Sequence, residues 1–362
     1  MTGPASANAS AAASTSLAPA SVVVLRFSSA GDVLLTSPAL EALKTAWPST
    51  RVRFVVKPAF ADLVRHNPHV DEIVEMREGE SARALARRIA AGEGGAAAVL
   101  DLHSGTRSRG VRFWLPRRGP RVVWTKRPLT DAVLVRLRVR PYRAAMTIAD
   151  RYHAAVERLV GRALPKGSFR LWVSEADRAA AGQALTAAGV DATRPILGMS
   201  PGANWFTKRW PADRYADIAR RAAERGMQVI ATGSAGEAAI LDEVRASAPH
   251  VIPLAGRLTL GQLGGVIERC AAFVANDSGP MHMARALGVP TLAFFGSTDP
   301  KQFDFTGHAL RFAAVECSPC SFYGLSRCPK GHFRCLLDLD AASSWSALEP
   351  LLTRPRPPFP RG

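Results

Sequence analysis

Three polar turns contain the side chains of this 362-residue chain that are best suited to chemistry. A carboxylate within reach of a substrate hydroxyl can accept its proton. Cations in a sheltered site stabilise the charge that develops on a departing diphosphate. The turns provide both residue types: Asp32 in SSAGD, Lys208 and Arg209 in TKRWP, and Asp277 and His282 in NDSGPMH. The combination favours transfer of a group away from a phosphorylated donor.

The third turn has the clearest pattern around it. The apolar run Ala271–Ala275 predicts a buried strand, and His282–Leu287 predicts a helix that ends at Gly288. A helix start after a tight turn offers unpaired N–H groups and the positive end of a dipole, which suits a phosphate. Ser278 and Gly279 allow a ligand to approach closely. An N-cap that only stabilises the helix is the alternative interpretation.

The other turns also have a purely structural interpretation. Asp32 could cap the helix that follows it, and Lys208 with Arg209 could be solvated surface cations. In a further turn, GSAGEAAI, Glu237 could hold sugar or ribose hydroxyls, or it could be a first-turn acid favoured by the helix dipole. The glycines around Gly31 do not form a G-x-G-x-x-G fingerprint, which argues against a dinucleotide site there.

Alternating strand and helix patterns must position these turns. Short apolar runs alternate with amphipathic stretches, which is the βαβ rhythm of a parallel sheet. The rhythm starts twice, and this predicts two Rossmann-like α/β halves that face a cleft. We expect the last helix to return to the first half. The predicted strands are 22–27, 52–56, 70–76, 97–101, 169–173, 196–200, 227–232, 251–254, 271–275 and 291–295, and the predicted helices are 33–46, 59–66, 81–91, 175–188, 211–225, 237–247, 259–269, 282–287 and 341–352.

The charge of the chain predicts an anionic partner. The formal net charge is +17, and residues 102–149 hold twelve Lys and Arg against one acid, Asp131. Such a cluster repels itself unless an anion visits it, although a solvated basic face is the alternative. Only 7% of residues are aromatic, and basic and aromatic residues do not alternate as they do in surfaces that stack bases. Nucleic acid is therefore not expected as a partner.

Composition also suggests a compartment. No run approaches 18 uncharged apolar residues, so we expect no transmembrane helix. Residues 1–20 lack both the basic and the apolar parts of a signal peptide, which predicts a disordered extension. The Pro-rich tail RPRPPFPRG is also expected to be unstructured. Five cysteines in this length do not suggest a fold built on disulfides, so the cytoplasm is predicted.

The turns and their surroundings resemble glycosyltransferase family 9, the ADP-heptose:lipopolysaccharide heptosyltransferases. The similar segments are RFSSAGDVLLTSPAL, PGANWFTKRWP and NDSGPMHMARALGVPTLAFFGSTDP, which occur in the family's order within residues 22–300. The spellings KRWP and NDSG are more similar to heptosyltransferase II than to I. The resemblance implies a GT-B fold of two Rossmann-like domains. With the predicted elements it suggests an extension at 1–20, an acceptor domain at 21–175, a nucleotide-sugar domain at 176–340, and a helix with its tail at 341–362.

The resemblance also implies roles for individual residues. Asp32 resembles the family's general base, and Lys208 resembles its cationic residue near the donor. The segment DLHSGTRSRG resembles the loop on the acceptor side. The remaining implied site residues are Arg209, Glu237, Asp277, Ser278, Gly279 and His282 for the donor, and His103, Arg107 and Arg109 for the acceptor.

The implied reaction is an inverting, metal-independent transfer of heptose from ADP-heptose to the lipopolysaccharide inner core. The acceptor hydroxyl loses its proton to Asp32 and attacks the anomeric carbon from the face opposite the diphosphate. Lys208, Arg209 and the helix start stabilise the departing ADP, so no cofactor is expected for catalysis. The Arg-rich segment would meet a lipid A–core acceptor and the anionic inner leaflet, which predicts a peripheral enzyme at the inner face of the cytoplasmic membrane.

A cysteine cluster follows the last predicted strand. The segment CSPCSFYGLSRCPKGHFRC begins with a C-x₂-C pair, and four thiolates could close a tetrahedral structural zinc site. The C-x₆-C spacing of the second pair is loose for a zinc ribbon, so reduced cysteines in an irregular loop are the alternative. The possible ligands are Cys317, Cys320, Cys328 and Cys335, with His332 as a spare.

Three other functions remain open on the sequence alone. One is a glycosyltransferase of the same fold that uses another nucleotide-sugar or acceptor. Another is a basic nucleic-acid-binding protein, which the charge alone suggests. A third is a binding module without catalysis, and the presence of Asp32, Lys208 and His282 together argues against it.

Overall fold

Two parallel β-sheets form the frame of the protein, whose computed structural model describes residues 18–92, 97–124 and 146–353. The first sheet consists of β1 Ser21–Leu25, β2 Arg51–Val56, β3 Glu72–Glu75, β4 Ala97–Asp101 and β5 Arg121–Val123. The second consists of β6 Ile196–Ser200, β7 Gln228–Ala231, β8 Ile252–Pro253, β9 Ala272–Asn276, β10 Thr291–Phe295 and β11 Ala309–Phe312. Within these ranges the fold is α/β in both halves, as predicted.

The strand order creates a switch point in each sheet. The orders are β3-β2-β1-β4-β5 and β11-β10-β9-β6-β7-β8, so the chain leaves in opposite directions from β1 and β4, and from β6 and β9. The register is parallel, with Val24 opposite Phe54 and Leu100. Ligands of open α/β sheets bind beyond the carboxyl ends of the strands at such points. The turns that follow these four strands contain most of the predicted site residues.

Helices cover both sheets. Those of the first half are α1 Ala30–Leu34, α2 Ser37–Ala46, α3 Asp62–Arg65, α4 Ala82–Ala91, α5 Thr106–Trp114 and α6 Ile148–Val160. Those of the second half are α7 Glu175–Ala187, α8 Ala212–Glu224, α9 Ala238–Ser247, α10 Leu260–Arg269, α11 Gly279–Ala286, α12 Arg334–Leu337 and α13 Ala341–Leu352. No helix in the described ranges has the length and apolar character needed to cross a membrane.

The central strands are buried on both faces, which explains their continuous apolar sequences. Val22–Leu25 and Ala272–Asn276 are buried throughout. One apolar cluster includes Leu40 of α2 and Val156 of α6 and extends to Met283 of α11. The two halves therefore share part of their core, and this shared core fixes the turns of one half against those of the other.

Three predicted elements of the first half differ from the structure. The predicted helix 59–66 is divided into a 3₁₀ turn, Pro58–Phe60, and α3. The predicted helix 33–46 is divided into α1 and α2, because Pro38 at the start of α2 has no N–H to continue the bonding pattern. The predicted strand 169–173 is wrong. There the Leu171 N–H donates to the carbonyl of Ala286 at 3.1 Å, and the Arg170 N–H donates to Ser37 Oγ at 3.0 Å. This backbone bonds to helix ends instead of a neighbouring strand.

The expectation that the last helix returns to the first half is also wrong. Helix α13 packs on α8 and on β10 and β11 of the second sheet. Its Trp345 and Leu348 lie in one apolar cluster with Tyr215 and Phe294. Helix α13 therefore packs against an apolar face of the second sheet. The predictions for residues 1–17 and for the tail 354–362 lie outside the described residues.

Candidate active site

The turns after β1 and β9 meet across the boundary between the two halves. A Cβ added to Gly31 would collide with the ring of His282, and one added to Gly279 would lie 3.0 Å from the Cβ of Ala30. Gly31 is therefore required by close approach, which is a specific use of glycine. The contact joins two of the three turns that the sequence singled out, the turn of Asp32 and the start of α11.

The carboxylate of Asp32 lies in the first turn of α1 and is partly open to solvent. Its Oδ2 accepts from the hydroxyl of Ser29 at 3.0 Å and from the Ser29 N–H at 3.4 Å, and it forms an ion pair with Arg26. The side chain is 25% exposed. All of these contacts use Oδ2, and within the described residues none was found for Oδ1. The side chain caps its helix through one oxygen, and the other is available to a substrate hydroxyl.

Arg26 is the buried ion-pair partner of Asp32, and it was not predicted from the sequence. Its Nη1 donates to the carbonyl of Leu102 at 2.7 Å, and its guanidinium carbon lies 5.9 and 5.7 Å from the ring centroids of Trp124 and Tyr152. A buried cation is costly unless it is paired, so the ion pair fixes both partners. The sequence feature that could have identified Arg26 is its position as a cation at the end of the apolar run of β1.

The third turn and the second turn are joined by a buried ion pair. Lys208 Nζ lies 2.7 Å from Asp277 Oδ2, and the hydroxyl of Thr298 donates to the same oxygen at 2.6 Å. The side chain of Asp277 is only 6% exposed. Burial raises its pKa, but the positive charge of Lys208 and the hydrogen bonds outweigh burial and hold the pKa below its ordinary value. Asp277 therefore stays charged and fixes the ammonium group of Lys208.

His282 is buried in the contact between the first and third turns, against Gly31. Burial and the charge of Arg285 lower its pKa to about 3, so the imidazole is neutral at physiological pH. Its ring lies edge-on to Phe303, with 4.7 Å between centroids. Within the described residues, His282 Nδ1 and Ser278 Oγ are buried without a hydrogen-bond partner. Both are suited to a polar ligand at the start of α11.

Asn276 connects the turns of β6 and β9 and was also missed from the sequence. Its Oδ1 accepts from the Trp210 N–H at 3.0 Å, and its Nδ2 donates to the carbonyl of Pro201 at 2.7 Å. The side chain is fully buried. One amide therefore holds both ends of the turn that contains Lys208. The only sequence feature that pointed to a role for Asn276 was its position beside Asp277.

Glu237 and Arg209 border the same turn. A Cβ added to Gly202 would collide with the carboxylate of Glu237. Glu237 Oε2 accepts from the Ser234 N–H at 2.8 Å and from its hydroxyl at 2.9 Å, so the residue also caps its helix. Arg209 Nε donates to the carbonyl of Ala203 at 2.8 Å. The structure thus brings together Lys208, Arg209, Glu237 and the start of α11 around one turn.

The predicted acceptor residues are not gathered in the same way. His103 packs against Phe27 with the two rings tilted by 39° and 4.7 Å between their centroids, which places it beside the first turn. Arg107 donates to the carbonyl of Glu80, and Arg109 is exposed. The arginines among 102–149 divide further. Some support the fold, as Arg112 does by pairing with buried Asp101 at 2.7 Å, and those of 125–145 lie outside the described residues.

The four cysteines after β11 are reduced and close to one another. Burial and the nearby thiols of Cys320, Cys317 and Cys328 raise the pKa of Cys335 to about 12. Cys317 Sγ lies 3.5 Å from His332 Nε2. Nevertheless, among the residues that the structure describes, no group of three or more His, Cys, Asp or Glu is arranged to hold a metal ion. Zinc binding by these cysteines stays a prediction.

A protein-family model matches a large part of the chain. The model described as glycosyltransferase family 9 (heptosyltransferase) matches residues 111–321, which is more than half of the chain. The matched region runs from the described part of the basic segment, through the second sheet, to the first cysteine pair. It contains the turns of Lys208 and Asp277, whereas the turn of Asp32 precedes it.

Two curated relatives cover most of the chain. It is 31% identical over 344 residues to lipopolysaccharide heptosyltransferase 1 of Pseudomonas aeruginosa, which covers 88% of this chain and 91% of that protein. It is 29% identical over 301 residues to lipopolysaccharide heptosyltransferase 2 of Escherichia coli, covering 79% and 84%. Because the two identities are nearly equal, the more specific resemblance to type II stays a prediction.

A solved structure supports the architecture. The glycosyl transferase family 9 protein from Veillonella parvula superimposes with a TM-score of 0.76 over 92% of this chain and 97% of that chain, at 24% identity. At this identity the likeness concerns the fold. The predicted GT-B architecture of two parallel-sheet α/β domains is confirmed.

Proposed function

Because the chain belongs to glycosyltransferase family 9, we propose that it transfers a heptose from ADP-heptose to the inner core of lipopolysaccharide. The observation that supports this most directly is the contact between Gly31 and His282, which joins the turn of Asp32 to the donor-type turn of α11. A carboxylate and a phosphate-binding helix start then face one cleft. Both curated relatives described above bear heptosyltransferase names.

In the proposed reaction, the acceptor hydroxyl oxygen bonds to the anomeric carbon as the bond to the diphosphate breaks. The proton moves to the Oδ1 of Asp32, and the bonding electron pair leaves with ADP. Attack opposite the leaving group inverts the anomeric configuration. The ion pair with Arg26 holds the carboxylate of Asp32 in one orientation before the reaction. The carboxylate therefore loses no rotational freedom as the proton is transferred.

On the donor side, we propose that Lys208 and the start of α11 receive the diphosphate. Asp277 and Thr298 fix the lysine ammonium, and Ser278 contributes a buried hydroxyl and the N-terminal end of the helix dipole. Fixed charges of this kind stabilise a developing anion without reorganising. Glu237 and Arg209 border the same turn and are assigned to the donor. These groups supply the charge stabilisation that a divalent ion would otherwise provide, so the proposed transfer is metal-independent.

We further propose that the first half docks on the anionic inner face of the cytoplasmic membrane, where the lipid A–core acceptor lies. Support comes from the end of α5, where Phe113 is 72% and Trp114 is 48% exposed. Arg83 lies over the Trp114 ring at 4.7 Å, and Arg117 and Arg118 are exposed nearby in the sequence. Exposed aromatic residues beside arginines suit an anionic lipid interface.

A nucleotide panel tests the donor assignment. Calorimetric titration with ADP, UDP and GDP is expected to show the tightest binding for ADP. Equal or tighter binding of UDP would contradict the heptose assignment and favour the same fold acting on another nucleotide-sugar. Binding of DNA that survives competition by ADP would instead revive the nucleic-acid alternative.

Vesicle co-sedimentation tests the membrane proposal separately. The protein is expected to bind anionic vesicles more strongly than zwitterionic ones, and Phe113→Ser with Trp114→Ser is expected to reduce that binding. Leu310 of the second half is another exposed apolar side chain and provides the control, as Leu310→Ser. Equal binding by both variants and the wild type would contradict docking through α5.

A further inference from the structure

A cavity of about 600 Å³ lies where the two halves join, outside the turns assigned to the donor. The first half contributes the start of α2 and the start of α6, and the second half contributes the end of α11 and the loop after β10. Binding pockets for small organic ligands commonly have volumes in this range. The cavity has room for more than a simple ion.

Arg285 of α11 is the central feature of the cavity wall. The residue is 94% buried, because its exposed fraction is 6%. Its guanidinium carbon lies 4.4 Å from the ring centroid of Phe305 and 5.4 Å from that of Phe169. Its Nη2 donates to the backbone carbonyl of Asp304. The planar cation is thus held between two aromatic rings and anchored at one nitrogen.

The other nitrogens of Arg285 lack partners. In the described part of the chain, Nε and Nη1 are buried and have no hydrogen-bond acceptor. Burial lowers the pKa of Arg285 to about 10, which still leaves the group charged at physiological pH. Leaving donors of a buried cation unsatisfied is costly, so the geometry requires an acceptor that the described protein groups do not provide.

The acids that line the cavity have other partners. Asp150 is 2.7 Å from Lys166, and Asp304 accepts at Oδ1 from the N–H and the hydroxyl of Thr306 at 2.9 and 2.7 Å. Among the described lining residues, Arg285 is a cation without a carboxylate partner at ion-pair distance. The unmet requirement is therefore for an anion with oxygen acceptors.

We propose that this cavity binds an anionic ligand of monosaccharide size, a sugar phosphate or sugar acid, through its phosphate or carboxylate on Arg285. The volume provides space for a sugar ring beside the anionic group, and Phe305 and Phe303 provide apolar faces. Because both halves line the cavity, the ligand would contact both domains at once.

The site is separate from the proposed donor site but close to it. Phe303 lines the cavity with one part of its surface and packs against the ring of His282, 4.7 Å away between centroids. Occupancy can therefore be sensed at the donor turn through one side chain.

Calorimetry in the presence of saturating ADP tests this inference, because ADP occupies the donor turns. The probes are inorganic phosphate, glucose 1-phosphate and glucuronate. At least one sugar anion is expected to bind the wild type with a millimolar or tighter Kd, and more tightly than phosphate does. Arg285→Gln is expected to weaken that binding by about tenfold or more, the scale of one charge-assisted hydrogen bond.

Two further variants make the result decisive. Arg221→Gln removes an exposed arginine of α8 and is expected to bind like the wild type. Arg285→Lys keeps the charge without the planar fork, and it replaces Arg285→Gln if the latter fails to bind ADP or to unfold cooperatively. Its binding is expected to be weaker than that of the wild type. Absence of binding to the wild type, unchanged binding in the Arg285 variants, or phosphate binding as tight as that of both sugar anions would overturn the proposal.

Discussion

Asp32 and Asp277 each follow a strand at the switch point of its sheet, but they have different surroundings. Each follows a central parallel strand and lies at the beginning of a helix. The side chain of Asp32 is 25% exposed, and its cationic partner Arg26 lies behind it. The side chain of Asp277 is 6% exposed and is enclosed by Lys208 and Thr298. One carboxylate is accessible from the cleft, and the other is a buried anion.

This difference in exposure and partners indicates that two chemically identical groups have different functions. Two carboxylates that lie in different environments commonly have different roles. An accessible carboxylate can accept a proton, whereas a buried carboxylate that is paired with a lysine holds other groups in place. We therefore propose that Asp32 accepts the proton and that Asp277 positions Lys208.

The largest effect is expected from Asp32→Asn. Asparagine keeps the size of the side chain but cannot take the proton, and loss of a general base typically lowers the rate by about 10²–10⁴-fold. The affinity for ADP should change little, because the donor turns belong to the second half. Steady-state turnover and calorimetric ADP titration on the same preparation check both parts.

Arg26→Gln is the matched control for that variant. It breaks the same ion pair but leaves the carboxylate able to accept a proton. Its turnover should fall much less than that of Asp32→Asn, although both variants lose some stability. Equal losses of turnover in the two variants would make the ion pair the common cause and contradict Asp32 as the base.

On the buried side, Lys208→Ala should cost about 2–4 kcal/mol of transition-state stabilisation, the scale of one preorganised electrostatic group. The cation that Asp277 holds would be absent as the diphosphate departs. The ratio of kcat/KM between the wild type and the variant measures this cost. Lys208→Arg keeps a cation beside Asp277 and should retain more activity. Turnover of Lys208→Ala within about twofold of the wild type would show that Lys208 does not stabilise the transition state.

His282 gives a smaller, pH-dependent effect. Its folded pKa of about 3 is below the ordinary 6.5, so the unfolded chain binds more protons between these values and stability rises with pH. At pH 5 this group should cost about 2 kcal/mol relative to pH 8. The lowered pKa of Asp277 acts in the same direction, but only below its ordinary 3.8. Urea unfolding at pH 5 and 8 should therefore show a shallower dependence for His282→Gln, and an unchanged dependence would contradict burial of a neutral imidazole.

The smallest expected effect is that of excess EDTA on turnover, which should remain within error. The proposed donor site uses Lys208 and a helix start instead of a divalent ion. Complete loss of turnover restored by Mg²⁺ or Mn²⁺ would contradict this mechanism. Unfolding with release of zinc would have a different meaning and would support the predicted structural site of the four cysteines.

The sequence predicted the frame well where strands are buried on both faces. The strands at 97–101, 196–200 and 291–295 have the predicted bounds, because buried parallel strands appear as continuous apolar runs. The turns were also found, since their glycines and polar residues interrupt that pattern. Segment 169–173 is apolar for another reason. It packs at the junction of the halves, and local pattern cannot distinguish the two situations. The domain boundaries stay a prediction.

The site could be predicted only as separate turns. The contact of Gly31 with His282 joins residues that are far apart in the chain, and no local pattern encodes it. The partners of the two carboxylates, Arg26 and Thr298, were missed for the same reason. Arg285 lies in the third motif, but no role was predicted for it. Its importance follows from Phe305, Phe169 and a cavity that exists only after the halves pack.

Product analysis tests the central claim most directly. The protein is incubated with ADP-heptose and core oligosaccharide that lacks heptose, and the products are examined by mass spectrometry and by NMR of the anomeric proton. The account predicts one added heptose with the anomeric configuration opposite to that of the donor, and one ADP released for each transfer. Binding of ADP-heptose without transfer, or a product with retained configuration, would contradict the proposed reaction and the role of Asp32 in it.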